Sequence, residues 1–272
     1  MIREKLVVIK GAGDLASGVA HRLWRAGFNI VMTEIPQPTV IRRTVAFAEA
    51  VYSGTTVVEG VRGRLVKDAR EALWVATSGE IAVIVDPQAK VVGELKPQVV
   101  VDAIMAKTNL GTRIDEAPVV IALGPGFQAG RDAHAVIETQ RGHDLGRVIL
   151  EGEARPNTGV PGEVAGYTVE RVLRAPDEGV FQGIKSIGDQ VQPGKAVAKV
   201  GDSPVISTIG GVLRGLLHDG LWVTKGMKVG DVDPRASLKH CFSISDKARA
   251  VAGGVLEAIL YLIRIETQLI QG

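Results

Sequence analysis

The sequence has few aromatic residues, a single cysteine and almost no excess of either charge. Aromatic side chains make up 4% of the 272 residues, and 32 Lys and Arg oppose 30 Asp and Glu, which leaves a formal net charge of +2. A balance this even excludes binding to nucleic acid or a membrane surface through bulk charge. One cysteine, Cys241, cannot form an internal disulfide, so no feature of the sequence requires an oxidising compartment.

Long hydrophobic runs are also absent. The most apolar segment, residues 255–270, is interrupted by Glu257, Arg264 and Glu266 and falls short of the ~20 apolar residues of a membrane span. The residues Met1–Lys5 lead into an apolar strand without the core of a signal peptide. We therefore expect a cytoplasmic protein that does not enter the membrane.

Residues 1–134 have the pattern of an α/β domain. A buried-type run, a glycine turn, a helical period and a second run form a βαβ opening, and three more apolar runs follow, each ending near a polar residue or a glycine. This arrangement predicts a Rossmann-like parallel sheet with its loops gathered at the carboxyl edge. The predicted strands are Leu6–Lys10, Asn29–Thr33, Ile81–Val85, Val99–Val101 and Val119–Leu123.

Residues 135–242 are predicted to form a second, mostly β domain. The spacing G-x4-G-x2-V-x2-G-x2-V starts at Gly183 and recurs 32 residues later at Gly215. The repeat resembles the barrel-sandwich hybrid of biotinyl and lipoyl carriers, although the intervening turn lacks the Met-Lys pair that carriers modify. Residues 243–272 are predicted to form an apolar helix, capped at Ser243–Asp246, that packs on the first domain or on a second copy of the chain.

The glycine turn is the first candidate binding site. Gly11 and Gly13 precede a helix that contains Ala16, and Glu34 ends the next strand, where an acidic side chain can bind a ribose. Asp14 repels a phosphate at this place unless it turns away to cap the helix. A tight βα turn without a ligand gives the same pattern. Further residues predicted to bind the ligand are Arg42, Lys107, Asn109, Gly124 and Gly126.

A second candidate is the polar segment from Gly124 to Asp144. It contains two histidines, His134 and His143, together with arginines and carboxylates at the expected end of a strand, a density typical of acid–base or anion-binding sites. Internal ion pairs of a linker explain the same composition. No familiar zinc-ligand spacing is present, and no metal site is expected. The catalytic candidates are His134, His143, Asp144 and Cys241.

Several longer motifs carry a family resemblance. They include Gly11–Asp14, Ala106–Thr112, Arg141–Asp144, Asn157–Gly162 and Ile244–Ala248. With these motifs the sequence resembles the YqeB-type accessory proteins of selenium-dependent molybdenum hydroxylases. The first domain is also distantly similar to the Rossmann domain of the xanthine dehydrogenase and carbon monoxide dehydrogenase accessory proteins.

The resemblance implies a bacterial maturation factor that works on a molybdenum hydroxylase client. Such a factor would hold a dinucleotide-like ligand, such as molybdopterin dinucleotide, during selenation or insertion of the cofactor. Two alternatives stay open: an NAD(P)-dependent oxidoreductase that acts on a small substrate, and a docking module for the hydroxylase with an empty glycine turn. Whether the protein is an enzyme is left undecided by the sequence.

Overall fold

The chain divides into two compact units, and each is built from separated stretches of sequence. The computed structural model describes residues 5–271, with the side chains of the last helix described as far as Arg264; Met1–Glu4 and Gly272 lie outside the described residues. Unit 1 contains the chain up to Pro36, Phe47–Asn157 and the chain from Ile244 onward, whereas unit 2 contains Gln37–Ala46 and Thr158–Ser243. The boundary predicted after residue 134 therefore falls inside unit 1.

Unit 1 is organised around a nine-stranded sheet. Its strands are β1 (Leu6–Lys10), β2 (Asn29–Glu34), β3 (Thr55–Val58), β4 (Val61–Val66), β5 (Ile81–Val85), β6 (Val99–Asp102), β7 (Val119–Leu123), β9 (Ala135–Ile137) and β10 (Val148–Ile149). A separate two-stranded ribbon pairs β8 (Gln128–Ala129) with β11 (Gly152–Glu153). The helices are α1 (Asp14–Arg25), α2 (Ala50–Ser53), α3 (Ala69–Thr77), α4 (Val91–Leu95) and α5 (Asp246–Gln271).

The buried strands lie at the centre of this sheet because their residues are apolar on both faces. The order is β10-β9-β7-β6-β1-β2-β5-β4-β3, and β1, whose residues are all buried, pairs in parallel with β2 and β6. All five strands predicted from apolar runs are present. The edges are antiparallel: β3 pairs with β4, and β10 pairs with β9.

The expected Rossmann-like fold class is wrong, and the architecture is a mixed α/β sheet. The sequence analysis missed the hairpin of β3 and β4 and the edge formed by β9 and β10. The connection from β6 to β7 contains no helix, whereas parallel strands are usually joined through one. The last helix of the chain completes unit 1, which a domain ending at residue 134 does not allow.

Helix α5 starts where the sequence predicted and packs closely on α1. The hydroxyl of Ser245 accepts a hydrogen bond from the Ala248 backbone N–H, so Ser245 caps the helix. A Cβ on Gly18 of α1 would lie 2.8 Å from the Ala248 Cβ, which shows how closely the two backbones approach. Val255 is buried, but Leu260 is 42% exposed, so the helix is less enclosed than its apolar sequence suggested. Among the described helices, none combines the length and the apolar character needed to cross a membrane.

Unit 2 consists of two four-stranded antiparallel sheets, which replace the expected barrel-sandwich-hybrid class. One has the order β12-β19-β17-β14 and the other β16-β15-β13-β18. The repeat maps onto this pairing, because β13 of the first copy pairs with β18 of the second, and β14 pairs with β17. The strands are β12 (Val172–Arg174), β13 (Gly179–Gly183), β14 (Gln190–Val191), β15 (Ala196–Val200), β16 (Ser203–Ile206), β17 (Gly211–Leu216), β18 (Trp222–Val223) and β19 (Lys228–Asp233).

Two adjacent glycines of α5 give a test of this packing. A Cβ on Gly254 would overlap the carbonyl oxygen of Gly146, whereas the nearest atom to a Cβ on Gly253 is Arg22 Nη1 at 3.7 Å. We expect Gly254→Ala to lower the free energy of unfolding by about 1–3 kcal/mol through overpacking. Gly253→Ala should raise it by up to about 1 kcal/mol, because alanine is the better helix former. Urea denaturation of both variants measures the difference, and equal effects would contradict the packing.

Candidate functional site

The glycine turn after β1 is filled by the protein's own backbone. Gly11 adopts a left-handed φ of +90°, and a Cβ there would lie 3.1 Å from both the Ala103 carbonyl oxygen and the Ile104 Cα. Glu34 closes the turn from the other side, since its Oε2 accepts the Ala12 backbone N–H at 2.9 Å and its Oε1 accepts the Ile35 N–H at 2.8 Å. The predicted ribose-binding carboxylate is therefore engaged with its own turn.

The other predicted glycines also serve close packing at the carboxyl edge. Gly126, at a φ of +102°, lies against the backbone of Lys107 and Thr108, and a Cβ there would come within 2.8 Å of the Thr108 Cα. Gly124 lies against the side chain of Thr139. These residues lie together as the sequence predicted, but the space that glycine leaves at Gly11 and Gly126 is occupied by the loop after β6.

A buried polar network anchors that loop. The Lys10 ammonium donates to Thr112 Oγ1 at 2.8 Å, and the Thr112 hydroxyl donates to Asp102 Oδ2 at 2.6 Å. Lys10 also forms an ion pair of 2.5 Å with Glu116. Burial raises the pKa of Asp102, although the hydrogen bond from Thr112 partly offsets the effect. Asn109 completes the loop, because its side-chain oxygen accepts the Gly111 and Thr112 backbone N–H groups.

The residues at the start of α1 have structural positions. Gly13 is the N-cap residue, and its carbonyl accepts the Ser17 backbone N–H. Asp14 opens the first turn, where a negative charge favours the helix dipole, and Ala16 is buried. None of these three positions is tested as a ligand contact, so their binding role stays a prediction.

The segment from Gly124 to Asp144 does not form one site. His134 lies at the amino end of β7. Its ring Nδ1 accepts a hydrogen bond from the Val120 backbone N–H at 3.0 Å, and its backbone N–H donates to the Val120 carbonyl oxygen. Gly124 lies at the opposite end of the same strand. Asp144 forms ion pairs with Arg147 at 2.7 Å and Arg155 at 2.5 Å, and His143 is exposed. Strand β9 separates the two histidines, which the sequence analysis did not foresee.

Arg42 and Cys241 belong to unit 2. The buried guanidinium of Arg42 donates to the carbonyl oxygens of His240 and Ser243 at 2.9 and 3.0 Å. Cys241 is fully buried, and burial raises the pKa of its thiol, so it lacks the exposed thiolate that a nucleophile or a chalcogen carrier needs. The glycine turn with which Arg42 was grouped belongs to unit 1.

A cavity in unit 1 brings together side chains that the sequence analysis did not group. It has a volume of about 180 Å³ and is half open, and its lining contains three arginines and one histidine. Four of its residues lie on one face of α1, at the spacing that repeats along a helix. The lining residues are Gly18, His21, Arg22, Arg25, Ile244 and Arg249.

One carboxylate neighbours this cavity. Both oxygens of Glu59, in the turn between β3 and β4, accept hydrogen bonds from Arg249 Nη2 at 2.7 and 2.8 Å. Burial opposes ionisation of Glu59, but hydrogen bonds from the Ile244 N–H and from Arg249 hold its pKa below the usual value. Burial lowers the pKa of His21, an effect that the charge of Glu59 only partly offsets. Within the described residues, neither Arg22 nor Arg25 has a carboxylate in ion-pair contact.

The signal for this cavity was present in the sequence but incomplete. His21, Arg22 and Arg25 fall on one helical face, which is a weak sign of an anion site because charged helix faces are usually solvated. The deciding residue, Arg249, comes from α5, more than two hundred positions along the chain. Without the tertiary contact between the helices, the arginines could not be placed together.

The sequence is similar to that of a curated bacterial protein. The chain is 55% identical over 260 residues to the uncharacterized protein YqeB of Escherichia coli K12, an alignment that covers 96% of this chain and 48% of that protein. This identity supports a relationship with the YqeB proteins. The chain spans about half the length of this curated relative, and no family model matches it.

Solved structures with distant similarity carry other names. They include an aspartoacylase family protein from Mesorhizobium loti (TM-score 0.25, 10% identity, covering 85% of this chain and 84% of that one). A succinylglutamate desuccinylase/aspartoacylase from Rhodobacter sphaeroides has a TM-score of 0.26, 14% identity and 85% coverage of both chains. The ectoine utilization protein EutE (DoeB) from Ruegeria pomeroyi has a TM-score of 0.24, 11% identity and 85% coverage of both. Scores this low transfer neither a fold nor an activity.

These findings correct the expected function. The glycine turn, where the dinucleotide-like ligand was expected, packs against the chain's own loop after β6. The expectation of a nucleotide-binding accessory protein for a selenium-dependent molybdenum hydroxylase is therefore wrong, together with its oxidoreductase and docking alternatives.

The raised pKa of Asp102 gives a test of the buried network. Because the folded state disfavours the charged carboxylate, this group stabilises the fold at low pH, and its contribution is lost as the pH rises through its folded-state pKa. We expect Asp102→Asn to remove this pH dependence. The free energy of unfolding of the variant should therefore rise relative to that of the native chain between about pH 4 and about pH 7. Denaturant titrations across this range measure it, and parallel stability curves would contradict the assignment.

Proposed function

We propose that unit 1 binds a small oxyanion-bearing ligand in the cavity between α1 and the start of α5. The observation that carries the proposal is the convergence of Arg22, Arg25 and Arg249 on one cavity beside the Glu59 carboxylate, which pairs with Arg249. Three guanidinium groups and one glutamate leave a local charge of +2 when His21 is neutral. An excess of positive charge beside a concave surface attracts anions, and guanidinium groups match the geometry of phosphate and carboxylate.

The size of the cavity supports a compact ligand. Its volume of about 180 Å³ corresponds to about six water molecules at their liquid volume. Sites for drug-sized molecules and cofactors usually measure about 300–1,000 Å³. A phosphate-sized or short carboxylate group therefore suits the cavity better than a dinucleotide does.

The position of the arginines favours direct contact with the ligand. Arg22 and Arg25 come from the last turns of α1, and Arg25 is exposed, so its side chain can reach toward an anion at the opening. Arg22 is half-buried, and its guanidinium lies beside Gly253 of α5, where a Cβ would be 3.7 Å from Nη1. Both side chains therefore have guanidinium donors available for a ligand. Arg249, in contrast, already uses its Nη2 in the ion pair with Glu59.

Removal of two arginines tests the proposal. We expect Arg22→Gln/Arg25→Gln to weaken phosphate binding by at least about 100-fold, since each of the two charge-assisted hydrogen bonds contributes about 1.5–3 kcal/mol. The control variant, Arg62→Gln/Arg70→Gln, removes the same charge from exposed positions outside the cavity lining. Isothermal titration calorimetry measures both. Equal losses in the two variants would reduce the effect to net charge, and a native chain that binds no oxyanion would refute the proposal.

The titration of His21 gives a second test. Its pKa is lowered by burial, and the charged groups facing it are Glu59, Arg25 and Arg249, all of which stay ionised above the lowered pKa of Glu59. As the pH falls through the pKa of His21, the cavity gains a positive charge, so phosphate should bind more tightly to the native chain than to His21→Gln. Affinities of both chains between about pH 7 and about pH 5 measure the difference. The titration of phosphate itself affects both equally, and identical profiles would count against a role for His21.

A further inference from the structure

Glu59 has a backbone conformation that its side chain does not favour. The hairpin between β3 and β4 turns through Glu59 and Gly60, with φ values of +45° and +85°. Two-residue hairpins with positive φ at both positions favour Asn, Asp or Gly, and a longer side chain in the left-handed region costs energy. What holds Glu59 in this conformation is its carboxylate, which is bound by Arg249 and by the Ile244 N–H.

The carboxylate retains hydrogen-bonding capacity on the side of the cavity. A carboxylate has about four acceptor positions. Glu59 Oε1 accepts from both the Ile244 N–H and Arg249, whereas Oε2 accepts only from Arg249 among the described residues. Oε2 lies 4.0 Å from Nε2 of His21, which lines the cavity. An anion held by the arginines beside His21 would meet in Oε2 an atom that can accept a proton but cannot donate one.

We propose that Glu59 selects the ligand: its Oε2 accepts the proton of a hydrogen phosphate group and disfavours an oxyanion that carries no proton. The inference rests on the proposed function of this cavity. Phosphate keeps at least one proton at neutral pH and can donate it to Glu59, whereas sulfate has none and brings two acceptor oxygens together without a hydrogen between them. A site that offers an acceptor to a donor on the ligand disfavours the analogue that lacks the donor, because the acceptor is then left facing a negative charge.

The discriminating experiment compares phosphate with sulfate. The native chain should bind phosphate at least about tenfold more tightly than sulfate at neutral pH, in line with the selectivity of sites built around a hydrogen bond. In Glu59→Gln the amide can donate to either anion, so sulfate should tighten and the preference should fall below about threefold. Glu80→Gln is the matched control, because Glu80 forms a similar pair with Arg64 outside the cavity, and it should keep the native preference.

A second measurement does not depend on a variant that folds. Arsenate carries a proton at neutral pH and selenate does not, and the two have similar sizes, so the native chain should prefer arsenate as it prefers phosphate. Equal binding of protonated and unprotonated oxyanions, or a preference unchanged in Glu59→Gln, would overturn the selection by Glu59 while leaving the anion site intact. Failure of every oxyanion to bind both the native chain and Glu59→Gln would refute the proposed function itself.

Discussion

The close contact between α1 and α5 is the constraint on which the arrangement of unit 1 depends. The absence of a side chain at Gly18 lets α5 approach α1 near Ala248, and Gly254 lets the same helix lie against the carbonyl of Gly146. Helices brought together by small residues leave little room between their backbones, so the longer side chains of both must extend beside the contact. Arg22, Arg25 and Arg249 do so, and the cavity is the space that they surround.

The two polar regions of unit 1 differ in how completely they are satisfied. At the carboxyl edge, Lys10 donates to Thr112 and Thr112 donates to Asp102, and these hydrogen bonds offset part of the cost of burial. At the cavity, the Glu59 carboxylate pairs with Arg249, whereas Arg22 and Arg25 make no ion pair within the described residues. A polar cluster whose donors and acceptors pair with one another stabilises a loop. A cluster with unpaired donors is stabilised further when an external acceptor binds to it.

Apolar patterning predicted much of the fold, since strands such as β1 and β7 are continuous apolar runs that can be recognised in the local sequence alone. The N-cap residue Ser245 likewise allowed the start of α5 to be predicted from the sequence. The hairpin of β3 and β4 was missed because it lies at a sheet edge, where Val57 is 56% exposed and the alternation is weak. For the sites, the sequence showed that Gly11 needs room but not what fills it, because Ala103 lies in the loop after β6, far from Gly11 along the chain. The cavity required Arg249 to return on α5, a contact that no local pattern encodes.

The interruption of unit 1 by unit 2 affects the order in which the protein can fold. Residues 158–243 are synthesised before α5. The face of α1 that contacts α5 therefore has no partner until the chain beyond residue 246 has been made. The strands of unit 2 all lie between Val172 and Asp233, and only residues 37–46 of this unit come from elsewhere in the chain. Contacts of such long sequence separation form slowly, so we expect the packing of α5 on α1 to be a late step in the folding of unit 1.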